Sequence, residues 1–239
     1  MKINILCFAL TYLFLFLDHF YRIIGDKILS DIFKGITSFV FVLFAFYSYN
    51  KATRKSEKFR KFSVFILTGI CVSLLADILL EINFEIGFCI FVSVQIFYFY
   101  AFTHYGKLNL RFYIFAIVIA ILVDTGNYLC PYFYFRDLQI SVFVYTIAFA
   151  CVVSKSIESF RWDSVQAKTM PIGIILFAIS DFLLQFRVFS SEELPEQVGS
   201  IIFIVSNTLY YTAQLLIGYS LSKDYFPKEI KNYSFPFQQ

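Results

Sequence analysis

Long apolar blocks separated by short polar breaks fill this chain. Eight blocks stand out, at about 3–20, 33–49, 62–81, 86–103, 110–129, 138–155, 170–187 and 198–221. Each is close to the roughly 20 residues that a helix needs to cross the hydrocarbon layer. The pattern predicts an all-α membrane protein of eight transmembrane helices, because only helices or closed barrels satisfy their backbone polar groups in lipid. Apolar residues lie on every face of the blocks, so block length and charge placement carry the reading. Residues 1–222 are expected to form one eight-helix domain, and 223–239, with Pro227 and Pro236, a short irregular cytoplasmic tail.

Composition agrees. The chain is 59% hydrophobic and 15% charged, whereas a soluble domain is about 45–50% apolar and about 25% charged. The first block runs into Asp18-His19 without a small-residue cleavage site, so it is expected to be a spanning helix and not a removable signal. The net charge of +3 is small and sits mostly in loops, which gives no ground for a nucleic-acid partner. Membrane lipids are the expected surroundings. The five cysteines show no metal-binding spacing and are expected to be small apolar core residues.

Loop charges orient the bundle. Of the 20 Lys and Arg, fifteen fall on the side of the N-terminus: Lys2, six between Lys51 and Lys61, Lys107, Arg111, Lys155, Arg161, Lys168, Lys223, Lys228 and Lys231. Arg22, Lys27, Lys34, Arg136 and Arg187 fall on the other. This bias predicts both termini in the cytoplasm of a multi-pass protein of the inner (cell) membrane. The hairpin Glu81–Glu85 and the loop Glu192–Glu196 are acidic and are assigned to the outer side.

Two acidic residues interrupt otherwise apolar runs: Asp77 in Leu74–Leu80 and Asp181 in Phe177–Leu184. A carboxylate at the centre of a spanning helix costs about 2.5–3.5 kcal/mol on insertion scales, so it normally faces a cavity or a partner. No Lys, Arg or His is expected inside a helix to pair with them. Sharing an apolar pocket, the two are expected to act as one acid and one base.

The helices after them also correspond. Helix four carries Gly87, Gln95 and Tyr98, and helix eight carries Gly199, Asn207 and Tyr210 at the same spacing. This suggests a 4+4 parallel internal repeat, an arrangement that places sites at the repeat interface. Helices one and two have no equally clear copy in helices five and six.

Helical spacing puts Asn207, Tyr210, Tyr211, Gln214 and Gly218 on one stripe of helix eight. Ser73, Asp77 and Glu81 share a face of helix three, Gln95 and Tyr98 one of helix four, and Ala178, Asp181 and Gln185 one of helix seven. These stripes are expected to face one another. At 1.5 Å per residue the aspartates lie roughly 6–9 Å below the outer helix ends, with Gln95 and Asn207 about 12 Å down. Asp18-His19 and Asp124, with Asn127 nearby, are expected at the interface, and His104 in solvent. With only two histidines, each at a block end, and no GxSxG, P-loop or dinucleotide fingerprint, no metal or cofactor is expected.

Leu74–Leu80, Gly87–Phe102 with Gln95-Ile96-Phe97-Tyr98, Gly173–Phe189 around Ser180-Asp181, and Tyr210–Ile217 resemble the YhhN-type lysoplasmalogenase family over most of the chain. The resemblance implies an integral membrane enzyme that hydrolyses the vinyl ether bond of lysoplasmalogens to a fatty aldehyde and a glycerophospho-alcohol. It carries a functional role onto Asp77, Asp181, Tyr211 and Gln214. Ala76 stands where the family usually has Gly, and Gln95 where it usually has His.

On the combined reading Asp77 and Asp181 are the catalytic pair. Gln95, Tyr98, Asn207, Tyr210, Tyr211 and Gln214 bind a lysophospholipid or another amphiphile. The same scaffold also fits a non-catalytic lipid- or small-molecule-binding or transport protein.

Overall fold

The computed structural model describes residues 2–53, 55–104, 108–135, 138–157, 160, 164–190 and 194–225. Arg54, Lys107, Arg136, Arg161, Lys228, Lys231 and the side chain of Lys2, all part of the charge asymmetry, lie outside the described residues. So do Glu192, Glu193 and the tail from residue 226.

Among the described residues eight helices are long and apolar enough to span a membrane. They are α1 (Lys2–Ile23), α2 (Lys27–Lys51), α3 (Glu57–Ile82), α4 (Phe84–Thr103), α5 (Leu110–Leu129), α6 (Gln139–Ser156), α7 (Val165–Val188) and α8 (Glu196–Ser220). The protein is therefore an all-helical, multi-pass membrane protein.

Local chemistry fixes several helix ends. Asp26 accepts from the Leu29 amide and starts α2, and Ser56 accepts from Phe59 at 3.2 Å and starts α3. Asn83 closes α3 and caps α4 through the Ile86 amide at 3.1 Å, so a single residue turns the chain back. The turn between α1 and α2 uses Gly25 at φ 85°, a left-handed conformation suited to glycine. The Asp26 cap puts the start of α2 at Lys27 rather than near residue 33, and Lys34 therefore belongs to a helix.

Helices adjacent in sequence pair: α1 with α2, α3 with α4, α5 with α6, and α7 with α8. Between pairs, α2 packs against both α3 and α8, while α6 packs against both α4 and α7. The core contains Phe41, Phe44, Phe59, Phe62, Ile66, Ile70, Phe102 and Phe177, all fully buried. Outward-facing Ile5, Leu6, Phe16, Ile117 and Leu122 form part of the lipid-facing surface. Of the five cysteines, expected in the core, Cys7 and Cys71 pack half-buried against it, Cys130 and Cys151 are half-buried elsewhere, and Cys89 is exposed.

Glycines allow close approach at α3–α4 and α7–α8. A Cβ on Gly87 would stand 2.5 Å from the backbone nitrogen of Leu80, and one on Gly173 would stand 3.0 Å from the carbonyl oxygen of Ala213. Gly199, the partner of Gly87 in the sequence repeat, has nothing within 4 Å of that position.

Candidate functional site

A cavity of about 340 Å³ opens between the α3–α4 and α7–α8 pairs, at the end of the bundle where α1, α3 and α7 finish. Asp77, Asp181, Asn207 and Tyr210 line it together, along with Tyr145 and Gln185. Leu80, Phe84, Phe88, Phe91 and Leu184 make much of its wall apolar. The loop before α6 braces the rim: the Tyr134 amide donates to the Phe189 carbonyl at 2.7 Å, and Phe135 packs on Phe189.

Asp77 is buried and held by three helices. Its Oδ2 accepts from the Ser38 hydroxyl of α2 at 2.6 Å and from the Tyr210 hydroxyl of α8 at 3.0 Å. Tyr211 stands 3.2 Å from the Ser38 hydroxyl, behind the first layer. The Tyr210 ring is gripped by Phe41, Phe91 and Phe177, with ring centroids 6.3, 6.0 and 5.3 Å away. That packing leaves its hydroxyl little freedom.

Asp181 has a different environment. The Tyr145 hydroxyl of α6 donates to its Oδ2, and Gln95 donates its side-chain amide to the same hydroxyl at 3.3 Å. The chain Gln95–Tyr145–Asp181 thus links α4, α6 and α7. Asp77 also acts electrostatically on Asp181. Next to it, Ser180 donates to the Ser206 carbonyl at 2.8 Å and locks α7 to α8.

The remaining expected residues lie behind this surface. Gln95, Tyr98, Tyr211 and Gln214 are fully buried and do not line the cavity. Tyr98 donates to Gln214 Oε1 at 3.1 Å, and Gln214 donates to Ser73 at 3.3 Å, so the three cross-link α4, α8 and α3. A Cβ on Gly69 would stand 2.7 Å from Cδ1 of Tyr98, which is why this ring fits only beside a glycine. Asn207 differs. Its buried Nδ2, like Oε1 of the cavity-lining Gln185, has no hydrogen-bond partner among the described residues.

Several expectations about charge are overturned. Lys34 is a buried cation inside α2 that pairs with Glu81 of α3 and acts electrostatically on Asp77. The aspartates are therefore not without a cation inside the helices. Asp18, expected at the interface, is fully buried within the protein and accepts from Ser30 at 2.5 Å. Its neighbour His19 packs edge-on against Phe203 with ring centroids 5.5 Å apart. Lys155, assigned to a loop, is buried in the last turn of α6.

Asp124 does not line the cavity and stands beside Thr146 of α6. His104 is not free in solvent: it stacks on Phe65 at 5.6 Å. Partial burial and the Lys61 ammonium both hold its pKa below the usual imidazole value.

Sequence reasoning missed Ser38, Tyr145, Lys34, Arg22 and Arg187. Ser and Tyr are ordinary in membrane helices, so Ser38 and Tyr145 give no distinct signal. Lys34 carries one: Glu81 shares the Asp77 face of helix three, and an acid there calls for a cation on a neighbouring helix.

Eight helices long and apolar enough to span a membrane, with a carboxyl-bearing, tyrosine-lined cavity between helix pairs, make this a multi-pass membrane protein. The sequence profile of the YhhN family matches residues 29–221, and the chain belongs to that family. No curated protein and no solved structure matches it. The matched span begins within α2, so α1 with Asp18 and Arg22 falls outside it.

Proposed function

We propose that this protein hydrolyses the vinyl ether bond of lysoplasmalogens, releasing a fatty aldehyde and a glycerophospho-alcohol. One observation carries the reading: Asp77 and Asp181 line the same largely apolar cavity while their hydrogen-bonding environments differ. Family membership and the resemblance of the aspartate segments support it.

The chemistry needs an acid and a base. Protonation of the alkene carbon remote from oxygen converts the vinyl ether to an oxocarbenium ion. Water then adds at the carbon bonded to oxygen, losing a proton to the base, and the resulting hemiacetal collapses to aldehyde and alcohol. One water is consumed and nothing is oxidised or reduced. Asp77, with two hydroxyl donors and Lys34 nearby, is suited to the carboxylate that takes the water's proton. Asp181, with the single donor Tyr145, is assigned to deliver the proton to carbon. Asn207 and Gln185, each with an unpartnered polar atom at the cavity, would hold the glycerol hydroxyls.

The same reading places the protein in the cell membrane with both termini cytoplasmic, so that the cavity opens toward the outer leaflet. A two-fold relation between helices α1–α4 and α5–α8 is supported by their packing. The partners of α2 are α3 and α8, and those of α6 are α7 and α4, as a shift of four helices requires.

The test is aldehyde release from lysoplasmenylethanolamine and its choline analogue by purified protein in detergent, beside Asp77→Asn and Asp181→Asn. Turnover by the parent protein, lost in both variants while each remains folded, is the expected result. A folded parent protein that binds the lysolipid but releases no aldehyde would overturn the hydrolase reading in favour of binding or transport.

A further inference from the structure

Three cations stand at the cavity mouth: Arg22, Lys34 and Arg187. Two are already answered by carboxylates. Lys34 pairs with Glu81, and Arg22 faces Asp31 at 3.4 Å, Glu81 at 3.6 Å and Asp18 at 4.0 Å. Arg187 has no carboxylate within ion-pair distance among the described residues. Its guanidinium instead lies 4.3 Å from the Phe203 ring centroid, and that of Arg22 lies 4.4 Å from the same centroid.

Two cations on one ring repel. Their guanidinium carbons are no more than about 9 Å apart, close to one Debye length at physiological salt, so the two charges still interact. Glu81 and Asp18 act on Arg187 electrostatically, but neither lies within ion-pair distance of it, so its guanidinium donors stay open to an anion at the rim. The contacts of Arg22 to its carboxylates are all longer than a good charge-assisted hydrogen bond, so donors remain on that side also. Deeper in the same cavity, the unpartnered Nδ2 of Asn207 supplies a further donor.

We propose that Arg187, with Arg22 beside the same Phe203 ring, forms a phosphate subsite at the cavity mouth that takes the headgroup phosphate of a single-chain phospholipid. The planar guanidinium fork suits two phosphate oxygens at once. The phosphate then sits at the rim, where the amine or choline beyond it stays solvated, and the glycerol and ether oxygen point inward toward Asp77 and Asp181. The choice of a lipid rests on the reading of the cavity as a lysolipid site. The anion subsite itself stands on the cation geometry.

The test uses full-length protein in detergent and a probe that cannot be turned over. A saturated-ether lysophosphatidylethanolamine is titrated beside the alkylglycerol of the same chain and beside inorganic phosphate, with binding read by thermophoresis. Because the probe lacks a vinyl ether, a failed aldehyde assay leaves this experiment intact. The parent protein should bind the phosphate-bearing lipid about tenfold or more tightly than the alkylglycerol. Arg187→Gln should lose most of that preference while binding alkylglycerol as before, and Arg187→Lys should keep part of it.

Competition by inorganic phosphate at concentrations well above those of the lipid also supports the subsite. Equal binding of lipid and alkylglycerol by the parent protein, or an undiminished preference in Arg187→Gln, overturns it. Inorganic phosphate binding as tightly as the lipid overturns the lipid assignment and leaves a site for a free anion.

Discussion

The Tyr210 hydroxyl on α8 donates to Oδ2 of Asp77 on α3 at 3.0 Å, an oxygen that Ser38 of α2 also reaches. Three helices therefore converge on one carboxylate oxygen. Because Phe41, Phe91 and Phe177 hold the Tyr210 ring, Tyr210→Phe should keep the packing and remove only the donor. Loss of one net hydrogen bond predicts a fall in stability of about 1 kcal/mol. If Asp77 is the base, aldehyde release should fall further, by about tenfold or more. Thermal unfolding in detergent and turnover on the same preparation check both, and full turnover would remove Tyr210 from the catalytic arrangement.

Tyr145 occupies the matching position at Asp181. Tyr145→Phe leaves the carboxyl without its donor, and turnover is expected to drop by about tenfold or more. Gln95 reaches Asp181 only through the Tyr145 hydroxyl, so Gln95→Ala should cost less, and should cost nothing further in a Tyr145→Phe background. Steady-state rates of the two single variants and the double variant decide this. Equal, independent losses would mean that Gln95 acts on substrate and not through Tyr145.

These two carboxyl environments mark where sequence reading succeeded and where it ran out. The paired aspartates were legible because an acid in an apolar run has few innocent explanations, and the eight helices were legible from block length. The layering was not. Tyr98, Tyr211 and Gln214 share a face with residues that do reach the cavity, and only the packing depth separates them from Tyr210 and Asn207. The apolar block of helix two begins near residue 33, which puts Lys34 at a helix end among the loop charges. Asp26 caps the helix earlier and sends Lys34 down beside α3.

That Lys34–Glu81 pair is part of both the cavity wall and a second recess between α2 and α3, which Asp77 also lines. Side-chain exposures of 11% and 20% make it a largely desolvated pair. Lys34→Met strips Glu81 of its nearest cation and Asp77 of a nearby one, so a loss of about 3 kcal/mol is expected. Glu81→Gln should be milder, since Lys34 retains Asp77. In the double variant the losses should be less than additive by about 1–3 kcal/mol. A double-variant unfolding cycle measures the coupling, and strict additivity would show that the pair contributes no specific interaction.

The two halves of the chain are similar without being equivalent, and glycine substitutions separate the cases. Gly87 lies so close to Leu80 that a Cβ would approach its backbone nitrogen to 2.5 Å and its Cα to 2.7 Å, atoms that cannot rotate away. Gly87→Ala must therefore push α3 and α4 apart, and a cost of about 1–3 kcal/mol follows from overpacking. Gly199 has open space at the same point of the sequence repeat. A methyl there meets nothing and removes a flexible residue from the first turn of α8, so Gly199→Ala should be neutral or stabilising by up to about 1 kcal/mol. The same pair of variants reads out function. Moving α3 against α4 displaces Asp77 relative to Phe84, Phe88 and Phe91, which line the cavity from α4, so Gly87→Ala should lower turnover as well as stability. Gly199→Ala should leave both intact. Comparable losses in the two variants would mean that the halves pack alike in the membrane and that the asymmetry at these glycines is not a property of the folded protein.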